Sequence, residues 1–96
     1  MKLNTQAVNF EIANRLEQHI AKKTKRYEKL LTPSAEMDIR MTVVKPETNL
    51  NKEVTIRITG IGAELFAQKT CDTFEQAIAE ALDALEGRLE KRKENA

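Results

Sequence analysis

Cysteine and histidine each occur once in this chain of 96 residues, as Cys71 and His19. A single cysteine excludes an intramolecular disulfide and a cysteine-based zinc site, and a single histidine excludes a multi-histidine metal site. The sequence also lacks a phosphate-binding loop, a dinucleotide fingerprint and a credible pair of acid/base carboxylates. We therefore expect no enzyme, with no catalytic residue, metal site, cofactor or small-molecule substrate.

Long apolar runs are also absent. No run approaches the ~18 residues of a membrane-spanning helix, and residues 1–6 lack the apolar core of a secretory signal. We expect a cytoplasmic protein without a membrane partner. A length of 96 residues, with 41% hydrophobic and 32% charged residues, suits one domain, residues 1–96, around one core.

Hydrophobic periodicity divides the chain into six elements. A period of two predicts four strands, at residues 2–8, 36–44, 53–59 and 64–68. A period near 3.6 predicts two helices, at residues 12–31 and 74–93. Each clear strand is apolar on one side only, so both helices should cover one face of the sheet. The predicted fold is α+β, in the order β-α-β-β-β-α, with two roughly parallel helices on a four-stranded sheet, like a double-stranded-RNA-binding domain.

Short polar segments mark the ends of these elements. Pro33 should end the first helix, and Gly60-Ile61-Gly62 should form a tight hairpin. Asp72, followed by Glu75 three residues later, predicts a capping box for the last helix. Cys71 is interpreted as a turn residue whose thiol pKa the helix N-terminus could lower.

Two basic segments are hidden by a formal net charge of only +1. Residues 15–29 hold six basic and two acidic residues, and residues 88–93 hold four basic and one acidic. Residues 22–29 and 88–93 form the C-terminal portions of the two helices, which should point to the same end of the domain and merge the segments into one patch. Favourable interaction with the helix dipoles could explain single residues. Ten bases in two segments favour an anionic partner.

The uncovered sheet face offers a second possible surface. Phe66 should lie there with Arg40 and Arg57 and could stack a nucleobase, although an edge or partner contact is the favoured interpretation. This leaves two alternatives to an anion-binding helix pair: a protein-interaction module using the sheet face, or a free double-stranded RNA binder. Steep salt dependence would distinguish phosphate binding from a protein contact.

A family resemblance rests on several segments in a fixed order. The segments are Met1-Lys2-Leu3-Asn4, Phe10-Glu11-Ile12, Lys23 with Arg26-Tyr27-Glu28, Ala77-Ile78, Asp83-Ala84-Leu85, and Arg88-Leu89-Glu90-Lys91-Arg92-Lys93. With these, the chain resembles the ribosome hibernation-promoting factors, also called ribosome-associated translation inhibitors or sigma-54 modulation proteins. It is similar to the short form, which lacks the C-terminal dimerisation domain. A position that often carries a base in the family's last helix is Gly87 here.

The resemblance implies a partner and a site. The protein would bind the 30S subunit or 70S ribosome in the channel for messenger and transfer RNA and block translation during stress or stationary phase, as a monomer when free. Basic side chains would neutralise 16S rRNA phosphates. The residues expected to bind rRNA are Lys22, Lys23, Lys25, Arg26, Lys29, Arg88, Lys91, Arg92 and Lys93.

Overall fold

Seven elements make up the computed structural model, which describes residues 1–44, 47 and 50–94, with side chains as far as Lys91. In chain order they are β1 (Lys2–Val8), α1 (Asn14–Thr24), α2 (Tyr27–Leu30), β2 (Glu36–Val43), β3 (Lys52–Thr59), β4 (Leu65–Cys71) and α3 (Phe74–Glu94). The predicted α+β class and order are confirmed, with the first helix divided in two.

The four strands form one sheet in the order β1-β2-β3-β4. β1 pairs in parallel with β2, whereas β2–β3 and β3–β4 are antiparallel. The register places Met37 opposite Ile58, and Ile56 opposite Ala67, so the apolar residues of neighbouring strands share one face. A one-residue slip would turn these side chains to solvent, and hydrophobic burial therefore fixes the pairing.

The core lies between this sheet face and the helices. Alternate residues of β2 and β3 are buried, as the period of two predicts, and they meet buried residues of the helices. The strand residues are Met37, Ile39, Met41, Val54, Ile56 and Ile58, and the principal helix residues are Leu16, Ile20, Ile78, Leu82 and Leu85. Each such side chain contributes about 1.5–3 kcal/mol of burial free energy.

The expectation of one continuous helix over residues 12–31 is wrong. α1 ends at Thr24, and α2 begins at Tyr27. Lys25 and Arg26 keep helical backbone angles, but the hydrogen bonds tighten, with Glu28 N–H donating to Lys25 O at 3.2 Å. The buried Thr24 hydroxyl donates to Ile20 O at 2.8 Å, a side-chain bond to the preceding turn that often bends a helix.

The capping residue of α3 lies one position later than expected. Thr73 Oγ1, rather than the Asp72 carboxylate, accepts the backbone N–H of Gln76 at 3.2 Å. The helix then begins at Phe74, whose ring stacks on Phe10 with centroids 4.6 Å apart. This contact joins the segment between β1 and α1 to the first turn of α3.

Gly87 lowers the stability of α3, although no neighbouring group requires a glycine at this position. It lies inside the helix, and a Cβ added there would meet nothing within 4 Å. Gly87→Ala should therefore raise the free energy of unfolding by about 0.5–1 kcal/mol, measured by urea denaturation.

Gly60→Ala is the control with the opposite expected sign. Gly60 has φ +81°, and its added Cβ would lie 2.3 Å from the Ser34 carbonyl oxygen. The substitution should destabilise the protein because both the backbone angle and the space require glycine. Equal stability of Gly87→Ala and the wild type would contradict the account of α3.

Candidate nucleic-acid interface

α1 and α3 lie side by side and run in the same direction. Arg15 and Lys22 of α1 line one depression with Thr73 and Glu75 at the start of α3. Further along both helices, Lys23 and Arg26 line a second depression with Leu82 and Asp83. The Tyr27 hydroxyl donates to Leu82 O at 2.6 Å. The expectation that both helices point to one end of the domain is therefore confirmed.

Five bases form the first half of the expected site. We call Lys22, Lys23, Lys25, Arg26 and Lys29 the basic cluster; all five side chains are exposed. Leu16, Ile20, Thr24, Tyr27 and Leu31 anchor the opposite side of this segment in the core. The cluster is therefore displayed on a backbone whose orientation the core fixes.

The second half of the expected site is arranged differently. Arg88 donates to the backbone carbonyl of Phe66, on the outer strand β4. Lys91 is exposed. The side chains of Arg92 and Lys93 lie outside those that the structure describes. Arg88 thus contacts the sheet edge rather than the basic cluster.

Carboxylates of α3 border the basic cluster. Arg26 Nη2 contacts Glu86 Oε2 directly and lies 3.6 Å from Asp83 Oδ1. The α3 residues that meet Arg26 are therefore acidic, whereas a single patch merging both basic segments was expected. The sequence shows these acids on α3, but not which base of α1 each one faces.

The guanidinium of Arg26 also lies over the ring of Tyr27, 5.6 Å from its centroid. The pKa of Arg26 is raised, first by its contact with the Tyr27 side chain and then by the charges of Glu86 and Asp83. Arg26 therefore carries its positive charge at any physiological pH. Burial raises the pKa of Tyr27, which stays a neutral hydrogen-bond donor.

The uncovered sheet face carries the expected aromatic and basic residues. Phe66 is 41% exposed and lines a shallow depression of about 580 Å³ together with Arg40 and Arg57. The Arg57 guanidinium lies 5.9 Å from the Phe66 ring centroid, and its Nε is 3.0 Å from Glu64 Oε1. Asp38 and Glu53 line the same depression. Its charges are balanced, so it offers a phosphate less attraction than the basic cluster does.

The lone cysteine does not behave as its position in the sequence indicates. Cys71 is the last residue of β4, is buried, and its thiol donates to Glu80 Oε2 at 2.7 Å. Burial, followed by the hydrogen bond and charge of Glu80, raises the pKa of the thiol to about 11. The expected lowering by the helix N-terminus is wrong because burial, and then the Glu80 carboxylate, disfavour the charged thiolate.

Alkylation of Cys71 by iodoacetamide tests this environment. At pH 8 a thiol with a pKa of about 11 holds roughly 100-fold less thiolate than one at the ordinary 9.0, so the native protein should react at least that much more slowly than the unfolded chain. Glu80→Gln should speed the native reaction. Because the pKa of the Cys71 thiol is higher in the folded than in the unfolded state, the free energy of unfolding should fall as the pH rises from 9 to 11. Equal alkylation rates for the native protein and the unfolded chain would contradict a buried thiol hydrogen-bonded to Glu80.

Neither a metal-binding group nor a membrane-spanning helix is found in the described part of the chain. Its histidine, cysteine, aspartate and glutamate side chains form no group of three that could hold a metal ion. His19 is half-buried between Arg15 and Lys22, where its Nε2 lacks a hydrogen-bond partner among the described atoms. None of the helices, over the residues described, combines the length and apolar character needed to cross a membrane.

Comparison with solved structures finds the same fold in several chains, including the following two. A ribosomal subunit interface protein from Coxiella burnetii matches with a TM-score of 0.78 and 21% identity, over 97% of this chain and 98% of that one. The N-terminal domain of Thermus thermophilus Protein Y matches with a TM-score of 0.78 and 16% identity, over 95% and 98% of the two chains. A comparison with curated protein sequences gave no match.

The family follows from the sequence itself. The model of the family described as "Sigma 54 modulation protein / S30EA ribosomal protein" matches residues 3–96, which is nearly the whole chain. The order of strands and helices is also that of the two solved structures. This chain therefore belongs to the sigma 54 modulation protein / S30EA ribosomal protein family.

Proposed function

We propose that this protein binds the small ribosomal subunit through the basic cluster and occupies the channel for messenger and transfer RNA. Membership of the S30EA family, a family of ribosome-associated factors, supports ribosome binding. The similar Coxiella burnetii protein is described as a ribosomal subunit interface protein. The observation that carries the proposal is the basic cluster, whose five side chains are exposed while the neighbouring residues of the same segment are anchored in the core.

The geometry of the cluster suits an RNA backbone. Lys22 lies in α1, Arg26 between the helices and Lys29 in α2, so exposed positive charges continue from one helix to the next. Lysine and arginine neutralise phosphates without reading bases, and specificity would come from the shape of the binding channel. Lys91, Arg92 and Lys93 would extend the contact at the end of α3. Arg88 would first have to leave the carbonyl of Phe66.

Inhibition would follow from occupancy alone. A folded domain in the decoding channel leaves no room for transfer RNA, so translation stops without any chemical step. The 16S rRNA phosphates of the 30S subunit or 70S ribosome are the proposed ligands. The domain, residues 1–96, would act as a cytoplasmic monomer, under stress or in stationary phase.

One observation favours a second candidate function. Phe66 is exposed on the sheet face beside Arg57, and such an aromatic residue is a typical contact for a protein partner. A free double-stranded RNA binder is less well supported, because the start of α3 presents Thr73 and Glu75 rather than bases.

Binding to purified 30S subunits at two salt concentrations tests the proposal. If about four phosphates are neutralised, affinity should fall roughly 100-fold or more between 50 and 200 mM salt. Purified 50S subunits provide the control and should bind far more weakly. Absence of binding to 30S subunits at 50 mM salt, or binding that salt leaves unchanged, would contradict the proposed function.

A further inference from the structure

Arg26 differs from the lysines of the basic cluster because it already has anionic partners. Its guanidinium contacts the carboxylate of Glu86 and lies 3.6 Å from that of Asp83. Among the described residues, no ion pair links Lys22, Lys23, Lys25 or Lys29 to a carboxylate. Arg26 is therefore the one member of the cluster whose charge is already partly neutralised by carboxylates in the described structure.

The contact joins two elements that the core holds in place. Tyr27, next to Arg26, is fully buried and donates to Leu82 O, which is adjacent to Asp83. The side chain of Glu86 is only 26% exposed, whereas that of Arg26 is 55% exposed. Asp83, in contrast, is 75% exposed, so Glu86 is the carboxylate held against the helix surface, and the arginine is the partner that can reorient away from it toward a ligand.

We propose that Asp83 and Glu86 act as an intramolecular competitor for phosphate at Arg26 and so lower the affinity of the protein for RNA. This inference rests on the proposed function and adds a specificity device to the same site. An RNA strand whose shape does not bring a phosphate to Arg26 contacts only the lysines of the basic cluster and is repelled by the two carboxylates. A ligand whose shape brings a phosphate to Arg26 displaces the carboxylates and gains the additional contact.

Neutralising the competitor should strengthen binding. Asp83→Asn with Glu86→Gln keeps the side-chain shapes and removes both charges. Because exposed ion pairs are weak individually, we expect binding to 30S subunits to become about 3- to 10-fold tighter. With single-stranded poly(U) RNA, which does not displace the carboxylates from Arg26 in the wild type, the released arginine adds one phosphate contact, so the slope of log affinity against log salt should steepen by about 0.7.

A matched variant separates the competitor from a general charge effect. Glu75→Gln with Glu90→Gln removes two charges from the same side of α3, and neither residue contacts Arg26 in the described structure. This control variant should give a smaller gain in affinity and no change in the slope of log affinity against log salt. In an Arg26→Gln background, the Asp83→Asn, Glu86→Gln pair should lose most of its effect, because the competed contact is gone.

The outcomes distinguish this inference from the proposed function. If the wild type fails to bind 30S subunits, the proposed function is wrong, and the competitor is then measured with single-stranded poly(U) RNA at 50 mM salt. For either ligand, binding of the Asp83→Asn, Glu86→Gln variant that is equal to or weaker than wild-type binding would overturn the proposal that these carboxylates compete with phosphate. An equal gain and slope from the Glu75→Gln, Glu90→Gln control would also overturn it.

Discussion

Replacing Tyr27 by alanine should lower the free energy of unfolding by about 3–5 kcal/mol, the cost of truncating a fully buried aromatic side chain. Tyr27 has no exposed surface, and its hydroxyl ties the segment after α1 to Leu82 of α3. The loss approaches the whole stability of a small domain, so much of the variant should be unfolded at 37 °C. Urea denaturation followed by circular dichroism measures the change.

Tyr27→Phe isolates the hydrogen bond from the packing of the ring. This variant should lose about 0.5–1.5 kcal/mol, because the ring still fills the core and only the bond to Leu82 O is gone. A Tyr27→Ala protein as stable as Tyr27→Phe would show that the ring is not part of the core, contrary to the structure.

Reversing the charge of Lys22, Lys23, Lys25 and Lys29 to glutamate should weaken binding to 30S subunits by about 10³-fold or more. Each reversal removes one cation from a phosphate and adds a repelling charge. The folded state should tolerate the changes, since all four lysines are exposed and none has an ion pair within the described structure. Co-sedimentation with 30S subunits measures the binding, and circular dichroism confirms folding.

Arg40→Glu with Arg57→Glu is the matched control on the uncovered sheet face. Both arginines line the depression beside Phe66, away from the basic cluster. Their reversal should leave 30S binding within a few fold of the wild type. If this variant loses binding while the lysine variant retains it, the sheet face is the functional surface.

Strands and core were predictable because each depends on local patterns. Burial of Met37, Ile39 and Met41, alternating with polar residues, follows directly from the pleat of a strand. The parallel direction of α1 and α3 followed from the strand order alone, since each helix crosses the same sheet in the same sense. The exposure of Phe66 followed from the same alternation.

Contacts between distant segments could not be predicted in this way. The side chains of Arg26 and Glu86 are 60 residues apart in the chain, and their contact depends on the axial register of two helices. The bond from Cys71 to Glu80 depends likewise on how α3 lies across the end of β4. The end of α1 at Thr24 was missed because the apolar stripe continues through Tyr27 and hides the change in hydrogen bonding.

The candidate site was therefore only partly predictable. The sequence identified a segment rich in bases and poor in acids, and the five side chains of the basic cluster within it are exposed. Spacing did not reveal that Asp83 and Glu86 border Arg26, or that Arg88 contacts the edge of β4. These two features change how many bases are free to meet a phosphate.

Protein–RNA cross-linking on intact 30S subunits tests the central claim most directly. Ultraviolet irradiation of the wild-type complex, followed by mass spectrometry of the linked peptides, identifies which protein surface contacts rRNA. The linked peptides should come from residues 22–29, with further links at the end of α3. Links confined to the sheet face around Arg40, Arg57 and Phe66, or no links to 16S rRNA at all, would contradict it.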